Sequence, residues 1–156
     1  MFFELATGDY LFEPHAGDNW SRDEDHLALI IELLGEIPTG LLKAGTQTHS
    51  MFTSQGKLRN ISKLKFWPLI NVLTEKYDWA IEDAAPFADL LTKMMRLNPH
   101  HRYTAEQCLD HPWLNDNVEF DLEWYIQENK VVNNIIQDEH SCSESSEWVS
   151  EEDDMV

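Results

Sequence analysis

Positive charge is scarce in this 156-residue chain. Eleven Lys and Arg stand against 29 Asp and Glu, a formal net charge of −18. That deficit excludes the basic footprint that nucleic-acid binding requires. It leaves basic partners, or solubility alone, as the use of the acidity. Cysteine is scarcer still. Cys108 lies in an expected core and Cys142 in a polar tail, so no disulfide framework is expected. No apolar run has transmembrane length and no signal-peptide pattern is present, so no membrane role is expected. These absences together point to a reducing, intracellular compartment. His100, His101, Cys108 and His111 lie near one another. No Cys-x-x-Cys or His-x-x-x-His pair accompanies them, so zinc is not expected.

What is present suits one domain with a core: 42% of residues are hydrophobic, over a length that can bury them. The acidity is uneven. Residues 116–156 hold 13 acids and one Lys, a net of −12, against −6 for residues 1–115.

The stretch from Phe87 to Leu114 organises the rest. Phe87, Leu90, Leu91 and Met94 recur at helical spacing and define one apolar face. Pro99 ends that helix and pushes Asn98 toward an extended conformation. Thr104 and Gln107 are spaced as a capping box for a short second helix. Pro112 stops that helix, and Trp113 with Leu114 offers an apolar anchor. Arg102 sits in the corner between the two helices. It reads either as a solvated corner arginine or as a guanidinium that wants a carboxylate partner.

Earlier in the chain, Met1–Ala6 reads as the last turns of an apolar helix that Gly8 stops. Asp9–Asn19 is a loop. A second helix is expected over 22–34, capped by Ser21, with Glu24 completing a capping box and three acids in its first turn. Leu27, Ile30, Ile31 and Leu34 form its apolar stripe. Asp25 and Glu32 fall within about 20° of each other on the far side, about 10 Å apart along the axis. Leu29 lies between them. This face reads either as a solvated acidic surface or as a groove for a peptide with long basic stems.

Residues 36–66 form a connection too long for an ordinary helix–helix loop, made locally basic by Lys57, Arg59, Lys63 and Lys65, which reads as a balance for the acidic surface rather than as a binding site. Pro68 suits a first helical turn, and Leu69, Val72, Leu73 and Lys76 follow on one face. Pro86 is tolerable if its helix starts near Asp83 and costly if it starts at Ala80. A short helix within Phe120–Ile136 and a disordered acidic tail over 141–156 complete the reading. Ser150, ahead of Glu151-Glu152-Asp153, resembles an acidophilic kinase target.

Leu97-Asn98-Pro99-His100-His101-Arg102, Thr104-Ala105 and His111-Pro112-Trp113-Leu114 resemble the end of the C-lobe of a eukaryotic protein kinase. Phe3-Glu4-Leu5-Ala6-Thr7-Gly8-Asp9-Tyr10-Leu11-Phe12-Glu13-Pro14 and Arg22–Gly35 narrow the resemblance to the SR-protein kinases, which phosphorylate serines in arginine–serine repeats. It covers roughly residues 1–115. The implied fold is all-α: a kinase-like C-lobe fragment over 1–115 with a long insert, an extension over 116–137 and an acidic tail over 138–156. The opening residues correspond to the end of the lobe's central helix, and 36–66 to the insert of the cyclin-dependent, mitogen-activated and SR-kinase group.

Phosphoryl transfer needs a Gly-rich loop, a phosphate-binding lysine, a catalytic aspartate and metal-binding Asp and Asn. No Gly-x-Gly-x-x-Gly, His-Arg-Asp or Asp-Phe-Gly occurs, nor an Ala-Pro-Glu carboxylate to pair with Arg102. The resemblance implies ATP and Mg²⁺ for a complete kinase. This chain alone is expected to bind neither usefully and to transfer no phosphate. It implies a docking groove for arginine–serine-rich proteins at Asp9, Asp25, Glu32 and Lys76, with Arg102, His111 and Trp113 structural. Cytoplasmic and nuclear localisation follows from the same resemblance. Self-association through exposed core surface is a further expectation. The alternatives are a non-catalytic module for arginine-rich peptides, another kinase of the same group, and an inactive remnant.

Overall fold

The structure, a computed structural model, describes residues 1–129. The expected tail, its Ser150 target and the end of the expected C-terminal helix lie outside those residues. The described residues contain no strand, only an isolated antiparallel bridge between Phe52 and Leu58. The chain divides into two units, Met1–Leu122 and one that begins at Glu123. The all-α expectation holds.

Helix α1 (Phe2–Thr7) ends at Gly8, whose N–H still bonds to the Glu4 carbonyl and whose φ of 84° turns the chain out of the helix. Helix α2 (Arg22–Leu34) has the expected bounds, and Ser21 Oγ accepts from the Glu24 N–H. The other half of the expected capping box is not formed. Glu24 is buried instead, and its two carboxylate oxygens accept from the backbone N–H and the side-chain amide of Asn60, at 2.8 and 2.7 Å. A charged acceptor with two donors in a desolvated site outcompetes one exposed capping bond.

The expected stripe of α2 is also shifted. Leu27, Ile30, Ile31 and Leu34 are half-buried, whereas Glu24, Ala28 and Leu33 are buried. The helix is covered from two sides. Leu27 and Ile31 pack on the cluster of Ala28, Phe52 and Leu58, while Leu29 and Leu33 line a groove on another side. The 36–66 segment supplies Phe52 and Leu58 of that cluster and carries two short helices, α3 (Thr39–Ala44) and α4 (Thr48–Met51).

Helix α5 (Leu69–Asn71) runs directly into a π-turn over Val72–Lys76. Leu69, Ile70, Val72 and Leu73 are buried. The wider turn adds a residue per turn, which moves Lys76 off the apolar face to an exposed position. Asp78 then reverses the chain in the left-handed region at φ 54°.

Helix α6 (Ile81–Met94) carries the main core, with Ala84, Ala85, Phe87, Ala88, Leu90 and Leu91 buried. It starts at Ile81, so Pro86 lies inside it and not in its first turn. This is the costly alternative: the Glu82 carbonyl loses its helical donor and meets the ring. Phe87 is stacked against Trp79, ring centroids 5.4 Å apart, and packs on Trp113 at 4.9 Å. Trp113 thus serves as the expected anchor, but Leu114 remains 44% exposed.

After a 3₁₀ turn at Pro99–His101, helix α7 (Ala105–Leu109) has the full expected capping box of Thr104 and Gln107. Helix α8 spans Leu122–Asn129.

The structural expectations for Arg102 and His111 fare differently. Arg102 is exposed, with Nε donating to the Arg96 carbonyl at 3.0 Å and Nη2 to the Leu97 carbonyl at 3.5 Å. Of its two readings, this exposure matches the solvated corner. Carbonyls beyond a helix C-terminus need donors, and a cation suits that end. His111 is buried at 3% exposure. Its Nδ1 accepts from the Trp113 N–H at 3.2 Å, which assigns the proton of the neutral ring to Nε2 and makes it the donor to Asp89 Oδ2 at 3.0 Å. Lys93 Nζ binds the same oxygen at 2.6 Å.

Candidate functional site

Asp9 and Lys76, 67 residues apart, meet directly. Lys76 Nζ donates to Asp9 Oδ2 at 3.3 Å and to the Tyr77 hydroxyl at 2.9 Å, and Tyr77 donates to the same Asp9 oxygen at 2.7 Å. The Tyr77 hydroxyl, then the Lys76 bond and charge, hold the Asp9 carboxyl below its usual range. The Lys76 ammonium is raised, chiefly by its bond to Tyr77, against a smaller opposing effect of burial. The ring of Tyr77 also packs edge-on against Phe3 of α1, with centroids 5.7 Å apart. Gly8 positions Asp9 by ending α1, and the π-turn positions Lys76.

Beside this pair lies a groove of about 470 Å³. Glu32, Glu75, Lys76 and Tyr77 contribute its polar wall, and Tyr10 and Trp67 are among its aromatic residues. Leu29 and Phe12 add apolar surface. Glu32 reaches the groove from α2, but one of its oxygens accepts from the Lys65 N–H at 2.9 Å. Asp25 is not among the lining residues; Oδ2 accepts from the His15 N–H at 2.9 Å. The face read as either a solvated surface or a groove is neither throughout. Its carboxylates each tie down a loop backbone, and each keeps acceptor capacity beyond that bond.

Glu75 was not legible in the sequence. Its carboxylate takes one bond from the Asn71 amide at 2.7 Å and another from Trp67 Nε1 at 2.8 Å. These neutral donors, Asn71 first and Trp67 next, hold it below the usual carboxylate range. The spacing of Asn71 and Glu75 at i, i+4 was a signal available in the sequence. The approach of Trp67 was not.

In chemical terms the groove offers oriented carboxylates beside aromatic faces. A guanidinium can take a carboxylate through paired N–H donors and stack on an aromatic ring at once. Among the described residues no cluster of three or more His, Cys, Asp or Glu side chains is arranged to hold a metal ion.

No family model matches the chain. Individual proteins do. Over 115 residues it is 53% identical to SRSF protein kinase 3 of Mus musculus, covering 74% of this chain and 20% of that protein. It is 52% identical over 118 residues to serine/threonine-protein kinase SKY1 of Saccharomyces cerevisiae, covering 76% of this chain and 16% of the relative. Over 114 residues it is 53% identical to serine/threonine-protein kinase spk-1 of Caenorhabditis elegans, covering 73% and 11%. The class these relatives define is that of the serine/threonine protein kinases, and the fold is that of helical C-lobe sequence. Within that class, the chain belongs to the SR-protein kinase family. It spans a fifth or less of the length of these relatives.

Proposed function

We propose that this chain supplies the substrate-docking part of a kinase acting on arginine–serine-rich proteins in the cytoplasm and nucleus. The observation that supports this most is the groove in which Glu32 and the pre-oriented Glu75 line the same wall as Lys76 and Tyr77, with Trp67 and Tyr10 nearby. Arginine stems would lie along Leu29 while guanidinium groups meet the carboxylates. Lys76 holds Asp9 in place rather than meeting the peptide first. ATP and Mg²⁺ belong to the complete kinase. No phosphoryl-transfer step is assigned to this chain's residues, and the isolated chain is expected to show no turnover. Self-association through exposed apolar side chains such as Met1, Leu5 and Tyr10 belongs to the same proposal.

A second reading has its own observation. Asp25 and Glu32 accept backbone amides of the loops they face, so both carboxylates serve as loop latches. Asp25→Asn with Glu32→Gln separates the readings, because each amide keeps an oxygen for the backbone N–H while losing its charge. Calorimetric titration with an arginine–serine-repeat peptide, without ATP, is expected to show binding about tenfold weaker in the double variant; about 1.4 kcal/mol corresponds to that factor. Moderate salt is expected to weaken wild-type binding too. Unchanged affinity in the double variant would leave the latches alone.

A further inference from the structure

A second groove, of about 520 Å³, opens on the 36–66 segment between α3, α4 and the turn at Thr53–Gly56. Its charge is opposite to that of the rest of the molecule. Lys43, His49 and Arg59 line it, and no Asp or Glu does. The other two grooves each include carboxylates, Glu32 and Glu75 in one, Glu32 and Glu36 in the other. Hydroxyls of Thr48 and Ser54 add further donors, and Leu42 and Phe52 supply apolar surface.

Among the described residues the bases of this groove are not consumed by ion pairs. Among the described residues neither Lys43 nor Arg59 has a carboxylate within 4 Å. The Arg59 Nε donates to the His49 carbonyl at 3.0 Å, which orients the guanidinium and leaves its terminal nitrogens available. The neighbouring Lys57 is drawn out of the groove by Glu36. The turn that shapes this wall is closed by the Gly56 N–H to the Thr53 carbonyl, with Gly56 at φ 76°. In a chain of net charge −18, a basic groove without a single carboxylate calls for an anionic ligand.

We infer that this groove is a binding site for a phosphorylated serine or threonine side chain carried on an extended peptide. A phosphate dianion matches an oriented guanidinium, an ammonium and hydroxyl donors. The groove is far larger than a bare phosphate needs, and its apolar residues suit the peptide on either side of the phosphorylated residue. The net charge decides against the larger polyanions. Nucleic acid or an anionic membrane would meet the acidic surface over a wide area. A single phosphorylated residue is governed by charges within a Debye length, about 8 Å at physiological ionic strength, and the lining that it would touch carries bases and no carboxylate. The inference does not rest on the arginine-docking reading.

The probe is a Gly/Ala peptide with one central phosphoserine and no arginine, so that the acidic groove has nothing to bind. Titrated into the full chain, it is expected to bind at least tenfold tighter than its unphosphorylated form. Lys43→Gln with Arg59→Gln is expected to remove that preference, with far-UV circular dichroism and melting unchanged, because both residues are exposed. Lys63→Gln removes one charge from the same segment outside every groove described and is expected to leave binding intact. Equal binding of the two peptides, or equal loss in Lys63→Gln, would overturn the site. Inorganic phosphate binding as tightly as the phosphopeptide would overturn the peptide ligand. So would capture by phosphatidylserine vesicles that depends on Lys43 and Arg59 without phosphopeptide binding.

Discussion

Around α6, Leu73, Ala84, Ala85, Ala88 and Leu90 have no solvent exposure, and Phe87 is clasped between Trp79 and Trp113. Around the 36–66 segment only Ala28, Phe52 and Leu58 form the buried cluster. That segment is held by carboxylates: Glu24 on Asn60, Glu32 on the Lys65 N–H and Glu36 on Lys57. The first region is stabilised by burial, which grows with area and has no direction. The second is stabilised by a few directional bonds that each fail singly. The contrast teaches that an acidic chain can build a loop-rich segment by spending carboxylates on backbone amides, and that such carboxylates look, in sequence, like a solvated face.

The sharpest way to break the comparison lies in the α6 core. Leu90→Ala should lower global stability by about 3–5 kcal/mol, the range for a fully buried leucine. Urea denaturation followed by tryptophan fluorescence measures it. A loss under 1 kcal/mol would mean that α6 is not the core that holds the unit together. Pro86→Ala works in the other direction. It should raise stability by about 2 kcal/mol, because an interior proline costs about 3 kcal/mol and its stiffness returns only about 0.4–1 through the unfolded state. The same denaturation curve reads this, and no gain would show that the helix already accommodates the ring.

Glu24→Ala addresses the other region. It removes two hydrogen bonds to a charged acceptor, but Asn60 is exposed and water can take over its donors, so the cost is about 1 kcal/mol. The loss should be local: hydrogen exchange should quicken at Asn60 and its neighbours while α6 amides keep their protection. Uniform acceleration across both regions would erase the distinction drawn here.

Acid titration gives the smallest effect. Asp9 and Glu75 have depressed values in the folded chain. Their contributions are complete above the unfolded values near 4 and fade as pH falls through the folded ones. Lys76 behaves oppositely, its share being lost only as pH rises above about 10.5. Salt sharpens the test. Half-molar NaCl should reduce the shift of Asp9, whose partners include the Lys76 charge, and spare that of Glu75, whose main donors are the neutral Asn71 and Trp67. Carboxyl NMR titrations report both, and equal salt sensitivity would contradict the assigned causes.

Much of this was legible in sequence where local signals act alone. The bounds of α2, the Gly8 stop and the Thr104–Gln107 box follow from neighbours within four residues. Legibility ended where a distant partner intervened. Ser21 and Glu24 have the spacing of a capping box, but Asn60, 36 residues on, takes the carboxylate. Arg102 read either as a solvated corner or as a guanidinium wanting an acid; it is exposed, and two carbonyls just beyond α6 accept from it. Glu75 enters the groove because Trp67 and Asn71 converge on it. Glu32 lines the groove and Asp25 does not, and the loops that use their carboxylates could not be read from a helical wheel.

The π-turn at Val72–Lys76 has a consequence for insertions and deletions. Each residue of an ordinary helix turns its side chain by about 100°, whereas the wide turn holds about one residue more than an ordinary one. Removing Thr74 would therefore restore an ordinary turn and leave Glu75 and Lys76 on nearly their present bearings, toward Trp67 and Asp9. Removing Ile70 from the ordinary turn before it would swing both away by about 100°. The make-up of this groove is therefore specified by where residues are counted as much as by their identities, and a one-codon deletion can dismantle it or spare it without altering a single charged group.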